Sequence, residues 1–99
     1  MHPAQAEGFE WDEANEEHLL RHRITETEVE EVFECDPVWR PNRGTGSGDW
    51  QMIGRTYGGR WLTIIVLVLE EERLLRAFTG FPATDSEIAI YRRQRGGRR

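Results

Sequence analysis

The chain has 99 residues, 37% of them apolar and 31% charged, and a formal net charge of −5. That length supports one domain with a single modest core, and four Trp, four Phe and two Tyr supply the bulk that disordered chains lack. Collagen-like, coiled-coil and repeat architectures are excluded, and the longest apolar run, Trp61 to Leu69 with Thr63 inside it, is far short of the ~20 residues that cross a bilayer as a helix. The first residues show no basic-then-apolar leader, so the cytoplasm is the expected compartment. Cys35 stands alone, which allows no internal disulfide and no all-cysteine zinc site.

The net charge hides a division. Residues 1–36 hold twelve acids against Arg21 and Arg23, hence −10, and residues 37–99 hold six acids against eleven arginines, hence +5. Every fixed cation is an arginine, whose planar fork suits phosphate and carboxylate equally. The expectation is a polarised domain, acidic on its helices and basic on its sheet.

Residues 1–8 lack periodicity and read as a loose lead-in. Asp12 then caps a first helix running to about Arg23, with Trp11, Asn15, His18 and His22 in one narrow sector and Glu13, Glu16 and Glu17 opposite. That places the histidines inward or in a cleft. Thr25 and Glu28 form a capping box that opens a second helix, which buries Ile24, Val29, Val32 and Phe33 and stops at Asp36-Pro37.

From there the period changes from 3.6 to 2. A short strand covers Val38 to Arg40, and the stretch from Pro41 to Asp49 is a loop by composition. Its Gly44-Thr45-Gly46-Ser47-Gly48 core reads as a flexible connector rather than a phosphate loop, since a strand and not a helix is expected to follow. Trp50 to Tyr57 reads as a strand, Gly58-Gly59 as a two-residue hairpin turn, and Arg60 to Leu69 as the partner strand. Both faces of that partner are apolar, which predicts a central strand covered by helix. Glu70-Glu71-Glu72 turns the chain into a fourth strand, Arg73 to Thr79. Pro82 ends pairing, and Thr84 to Glu87 is a second capping box opening a last helix with Ile88 and Tyr91 on one face. The sum is an α+β domain over residues 9–93, with two N-terminal helices, a mainly antiparallel four-stranded sheet, a C-terminal helix and a frayed basic tail at 94–99.

Three ordered blocks in this frame carry a resemblance. The first runs from Phe9-Glu10-Trp11-Asp12-Glu13-Ala14-Asn15 through Glu17-His18 and Arg21-His22 to the acidic segment ending at Asp36-Pro37. Ile53-Gly54-Arg55-Thr56 with Gly59-Arg60 is the second, and Arg76, Thr79, Thr84, Glu87 and Tyr91 are the third. Together they resemble the BrnT family of bacterial toxins, which has a RelE-like fold. The resemblance implies the toxin of a type II toxin–antitoxin system, an endoribonuclease that cuts RNA and inhibits translation. It also implies a cognate antitoxin that contacts operator DNA, and assembly as a homodimer or heterotetramer. Phe81 stands where family members commonly carry arginine, and Asn15 and Arg21 stand near first-helix positions that are often lysine.

Cutting RNA through its own 2′-hydroxyl needs no metal and no cofactor. It needs a base for the 2′ proton, cations for the phosphorane-like charge and an acid for the leaving oxygen. The candidate cations are Arg76 and Arg55, expected on neighbouring strands, with Arg40, Arg43 and Arg60 holding the RNA backbone. His18 and His22 are the candidate base and acid, imidazole being the side chain whose ordinary range spans neutrality. Tyr91 is a candidate phosphate contact. Each has a plainer alternative: surface arginines on strands, a buried histidine bonded to a backbone carbonyl beside Trp11, and a core-edge tyrosine. The i, i+4 histidines make half a zinc site, but Cys35 is the only soft third ligand, and no metal is expected. Cys35 itself, between Glu34 and Asp36, reads as a small apolar filler. An alternative function is a toxin-fold module that no longer cuts and acts by binding a protein partner. A third is an interaction domain whose acidic helices mimic nucleic acid or dock a basic protein.

Overall fold

The structure, a computed structural model, describes residues 1–43 and 49–96. The connector at 44–48 and the last three residues lie outside the described residues. The chain is an α+β domain. A 3-10 turn (Pro3–Gln5) and two helices, α1 (Glu13–Leu20) and α2 (Glu26–Glu34), precede four strands, β1 (Val38–Pro41), β2 (Trp50–Arg55), β3 (Trp61–Leu69) and β4 (Leu74–Pro82), and α3 (Asp85–Gly96) follows. The sheet is antiparallel in sequence order, β1-β2-β3-β4. No helix among the described residues is long and apolar enough to cross a membrane.

Both predicted caps before the sheet form. Asp12 and Asn15 bond reciprocally at the start of α1, and Thr25 and Glu28 do so at α2. The first helix is shorter than its sequence suggests. Ile24 N–H donates to Leu19 O and Arg23 N–H to Leu20 O, with Arg23 in the left-handed region at φ 59. This Schellman-type closure ends the helix because Ile24, fully buried, must turn into the core. His22 therefore leaves the helix and sits exposed in the closing turn.

One face of the sheet receives α1 and α2. Met52, Leu62, Ile64, Val66, Leu75 and Ala77 pack there against Leu19, Ile24, Val29 and Val32, all 0% exposed. Burying such side chains contributes about 1.5–3 kcal/mol each. A Cβ at Gly80 would stand 2.7 Å from Ile64 Cδ1 and 3.1 Å from Ile24 Cδ1, so a side chain there would have to displace the tips of both isoleucines.

The opposite face carries Arg40, Gln51, Arg55, Trp61, Leu67 and Arg76 by register. One end of it is crossed by α3: Glu87, buried, accepts from Thr63 Oγ1 at 3.0 Å and from Thr84 N–H at 2.9 Å. At the far end of the helix Arg95 reaches Asp36 and Pro37 O. This helix continues through Gly96, so residues 94–96 belong to the fold rather than to a frayed tail.

Two further expectations are corrected. The lead-in is packed: Pro3 is fully buried, the terminal ammonium pairs with Glu70 at 2.9 Å, and residues 7–10 bond to the start of β4 around an isolated parallel bridge, Phe9–Leu75. That covers part of an open sheet edge. The β2–β3 hairpin turns through Tyr57, Gly58 and Gly59, closed by Thr56 N–H to Arg60 O, with Gly59 at φ 88. A three-residue loop with glycine in the left-handed position replaces the two-residue turn because the Thr56 hydroxyl accepts from Arg60 N–H.

Candidate functional site

The candidate site is a groove of about 270 Å³ along the β4 edge, lined by Ala14, Asn15, His18, Leu67, Arg76 and Phe78. Its shape comes from a β-bulge. Ile65 pairs with Thr79 and Val66 with Ala77, which leaves Phe78 unpaired and 42% exposed. Bulges re-aim side chains at sheet edges. Here the bulge presents Phe78 to the His18 ring, stacked at 6.1 Å, and the Thr79 hydroxyl to His18 Nε2 at 3.1 Å. His22 stands beside them with its ring 5.7 Å from that of His18.

Asn15 holds α1 to this edge. Besides its cap bonds with Asp12, its amide donates to Ala77 O at 3.3 Å, satisfying a buried carbonyl. Arg76 closes the other wall, and it is already engaged. One guanidinium nitrogen is 3.2 Å from Glu10 and another 2.6 Å from Asp12. The Asn15 backbone N–H and then the Arg76 guanidinium hold the Asp12 carboxyl below its ordinary value, and Asp12 in turn pushes Arg76 up. Arg76 is thus a permanent cation that a phosphate must win from two carboxylates.

The candidate residues divide into three places. His18 and Arg76 line the groove, and the His22 ring lies next to that of His18. Arg40 and Arg43 lie on the same sheet face near the β1–β2 loop, around a hollow of about 430 Å³, with Arg40 Nε donating to Gln51 at 2.7 Å. Arg55 and Tyr91 are elsewhere. Strands β2 and β4 are separated by β3, which corrects the expectation that Arg55 and Arg76 are neighbours. Arg55 pairs with Trp61 and Arg76 with Leu67, six residues apart on β3, a separation of ~20 Å. Tyr91 meets the Trp61 ring edge-on at 5.0 Å. Arg60 is a strap rather than an open cation, donating to both Glu28 oxygens at 3.1 Å and to Arg23 O at 2.7 Å.

The plainer reading of the histidines also differs from what is seen. His18 meets a threonine hydroxyl and not a carbonyl, and the Trp11 indole N–H donates to Glu30. Sequence reasoning missed Phe78, Trp61 and Arg92. The bulge had a signal: Leu75 and Ala77 keep a two-residue period that Gly80 breaks. Compared with known proteins, the chain matches no family model, no curated protein and no solved structure.

Proposed function

We propose that the chain is the toxin of a type II toxin–antitoxin pair, a metal-independent endoribonuclease that inhibits translation. The reading rests on the BrnT resemblance. The structural observation that supports it best is that His18 and Arg76 line one edge groove, with a second imidazole, His22, 5.7 Å from the His18 ring. In the chemistry this allows, one imidazole takes the 2′ proton, the other protonates the leaving 5′ oxygen, and Arg76 holds the charge on the phosphorus oxygens. Thr79 orients His18, and Phe78 offers an exposed ring to a base. Arg40 and Arg43 extend the contact across the sheet face. An antitoxin with an acidic segment would cover that face, operator DNA would be reached only through the antitoxin, and the complex would be a homodimer or heterotetramer in the cytoplasm. Expression of the chain alone in growing bacteria is expected to arrest growth and create new mRNA ends. Folded protein with neither effect overturns the proposal.

A second reading, a toxin-fold module that binds without cutting, draws on two observations: Arg76 is held by Glu10 and Asp12, and Phe81 occupies β4 opposite Thr63. RNA cleavage that appears only in Phe81→Arg would favour it.

A further inference from the structure

The opposite end of the exposed sheet face gathers cations and aromatic rings from β2, β3 and α3. The Arg55 guanidinium lies over the Trp61 ring at 5.1 Å, and that of Arg92 at 5.7 Å from the same centroid. Tyr91 meets Trp61 edge-on, and Arg95 stands 6.0 Å from the Tyr91 ring. What marks Arg55 and Arg92 is an aromatic partner in place of an acid. Arg40, Arg60, Arg73, Arg76 and Arg95 each reach a carboxylate within 4.0 Å. Among the described residues Arg55 and Arg92 have the indole as partner and no ion pair, and both are exposed.

The carboxylates of the α2 end are themselves engaged. Glu34 accepts from the Tyr57 hydroxyl, Glu31 from the Tyr57 N–H, and Asp36 from Arg95. A hollow of about 400 Å³ adjoins the rings, lined by Cys35, Arg55, Thr56, Tyr57, Gly59 and Tyr91.

A guanidinium laid on an indole keeps its N–H donors directed outward in its own plane, where they suit phosphate oxygens. Two such groups on the half-buried Trp61 ring, with half-buried Tyr91 beside it, combine phosphate contacts with an aromatic surface on which an unpaired base stacks. A duplex hides its base faces, whereas a single strand offers both. We propose that Arg55, Trp61, Tyr91 and Arg92 form a second contact site for single-stranded RNA. Arg55 and Arg92, laid on Trp61, hold successive phosphates, and Tyr91 stacks a base. The site lies ~20 Å along β3 from the groove, so a strand occupying both is gripped well away from the bond to be cut. Arg55 and Tyr91 are then strand-holding groups and not catalytic ones. The choice of RNA as the ligand rests on the proposed function; the pairing of acid-free cations with aromatic rings does not.

The test is a fluorescence-anisotropy titration of the whole chain with an unstructured, labelled RNA of about twelve nucleotides across a KCl series. Arg55→Gln/Arg92→Gln is expected to weaken binding about tenfold and to make the log–log salt slope shallower by about 1.4, the loss of two single-strand phosphate contacts. Arg21→Gln, an exposed arginine elsewhere, is expected to bind within about twofold of the unaltered chain. Tyr91→Leu should weaken binding while Tyr91→Phe keeps it, and circular dichroism checks that each variant is folded. Unchanged affinity and slope in the double variant overturn the proposal. So does a poly-glutamate peptide that competes as well as the RNA, which would mark the site as one for an acidic protein. Growth arrest with binding indifferent to Arg55 and Arg92 leaves the toxin reading intact and removes this site. Binding that depends on them without any cleavage does the reverse.

Discussion

The two ends of the exposed sheet face each present arginine, but the arginines are held in opposite ways. At the β4 edge, Arg76 is fixed by Glu10 and Asp12 beside His18. At the α3 end, Arg55 and Arg92 rest on Trp61 without an acid among the described residues. The first arrangement gives a well-placed cation that is costly to recruit, and the second gives cations that are easy to recruit. A site that does chemistry benefits from the former, because a positioned group needs no reorganisation when charge develops. One that only grips a strand benefits from the latter, whose contacts are set by counterion release. The same contrast disposes of a simple polarised domain. The pairs Glu7–Arg73, Glu10–Arg76, Asp12–Arg76, Glu28–Arg60 and Asp36–Arg95 each join the acidic first third to the basic remainder, so the division along the chain is partly cancelled in space.

The sharpest way to break the contrast is Arg76→Ala. If the groove is the reacting site, RNA cleavage falls about 100-fold or more, as when a single charge-stabilising donor is removed, while the melting temperature changes little because both ion pairs are solvent-screened. A large loss of melting temperature with cleavage retained would mark Arg76 as a strut for α1. Asn15→Ala comes next. It removes the side-chain donor to the buried Ala77 carbonyl and the acceptor of the Asp12 N–H, while the Asp12 cap on the residue 15 N–H remains, and urea unfolding should show a loss of about 1–3 kcal/mol. Glu10→Gln tests how strongly Arg76 is held. Freeing it should tighten RNA binding about threefold at low salt, an effect that fades as salt rises, with no change in the contribution of Arg55 and Arg92.

The smallest effects are in pH. The Asp12 carboxyl is held below its ordinary value, so its contribution to stability is present above the ordinary value near 3.8 and is lost as pH falls through the lowered one. The Tyr57 phenol is pushed up to about 12, first by its hydrogen bond to Glu34, so its contribution is present below the ordinary value near 10 and is lost as pH rises through about 12. Thermal melts across pH should therefore lose an acid limb in Asp12→Asn, at the groove end, and an alkaline limb in Tyr57→Phe, at the α3 end. Either variant altering the other limb would show that the two ends are coupled.

Much of this architecture was legible because it is local. The Asp12, Thr25 and Thr84 caps, the Asp36-Pro37 stop and the doubly apolar β3 are set by neighbours within four residues, and the α+β class follows from them. The end of α1 was not legible, since it is decided by where Ile24 must go in the core. Nor were the partners of Arg76, which lie more than sixty residues away and arrive only when the lead-in packs along β4. His18 was found as a candidate from its helix face, but its partner Thr79 depends on a bulge that shifts the register of β4 by one residue. Arginines can be counted in a sequence; whether each is already spoken for is a property of the fold.

We propose that the His18–Arg76 groove cuts RNA by the 2′-hydroxyl route. Its most direct test is incubation of the purified chain with end-labelled RNA in chelator, with and without ribosomes, followed by determination of the product termini. The expected products are 2′,3′-cyclic phosphate and 5′-hydroxyl ends that form without metal and disappear in His18→Gln/His22→Gln and in Arg76→Ala. Intact RNA in the presence of folded protein, or the same products from the histidine double variant, would contradict it.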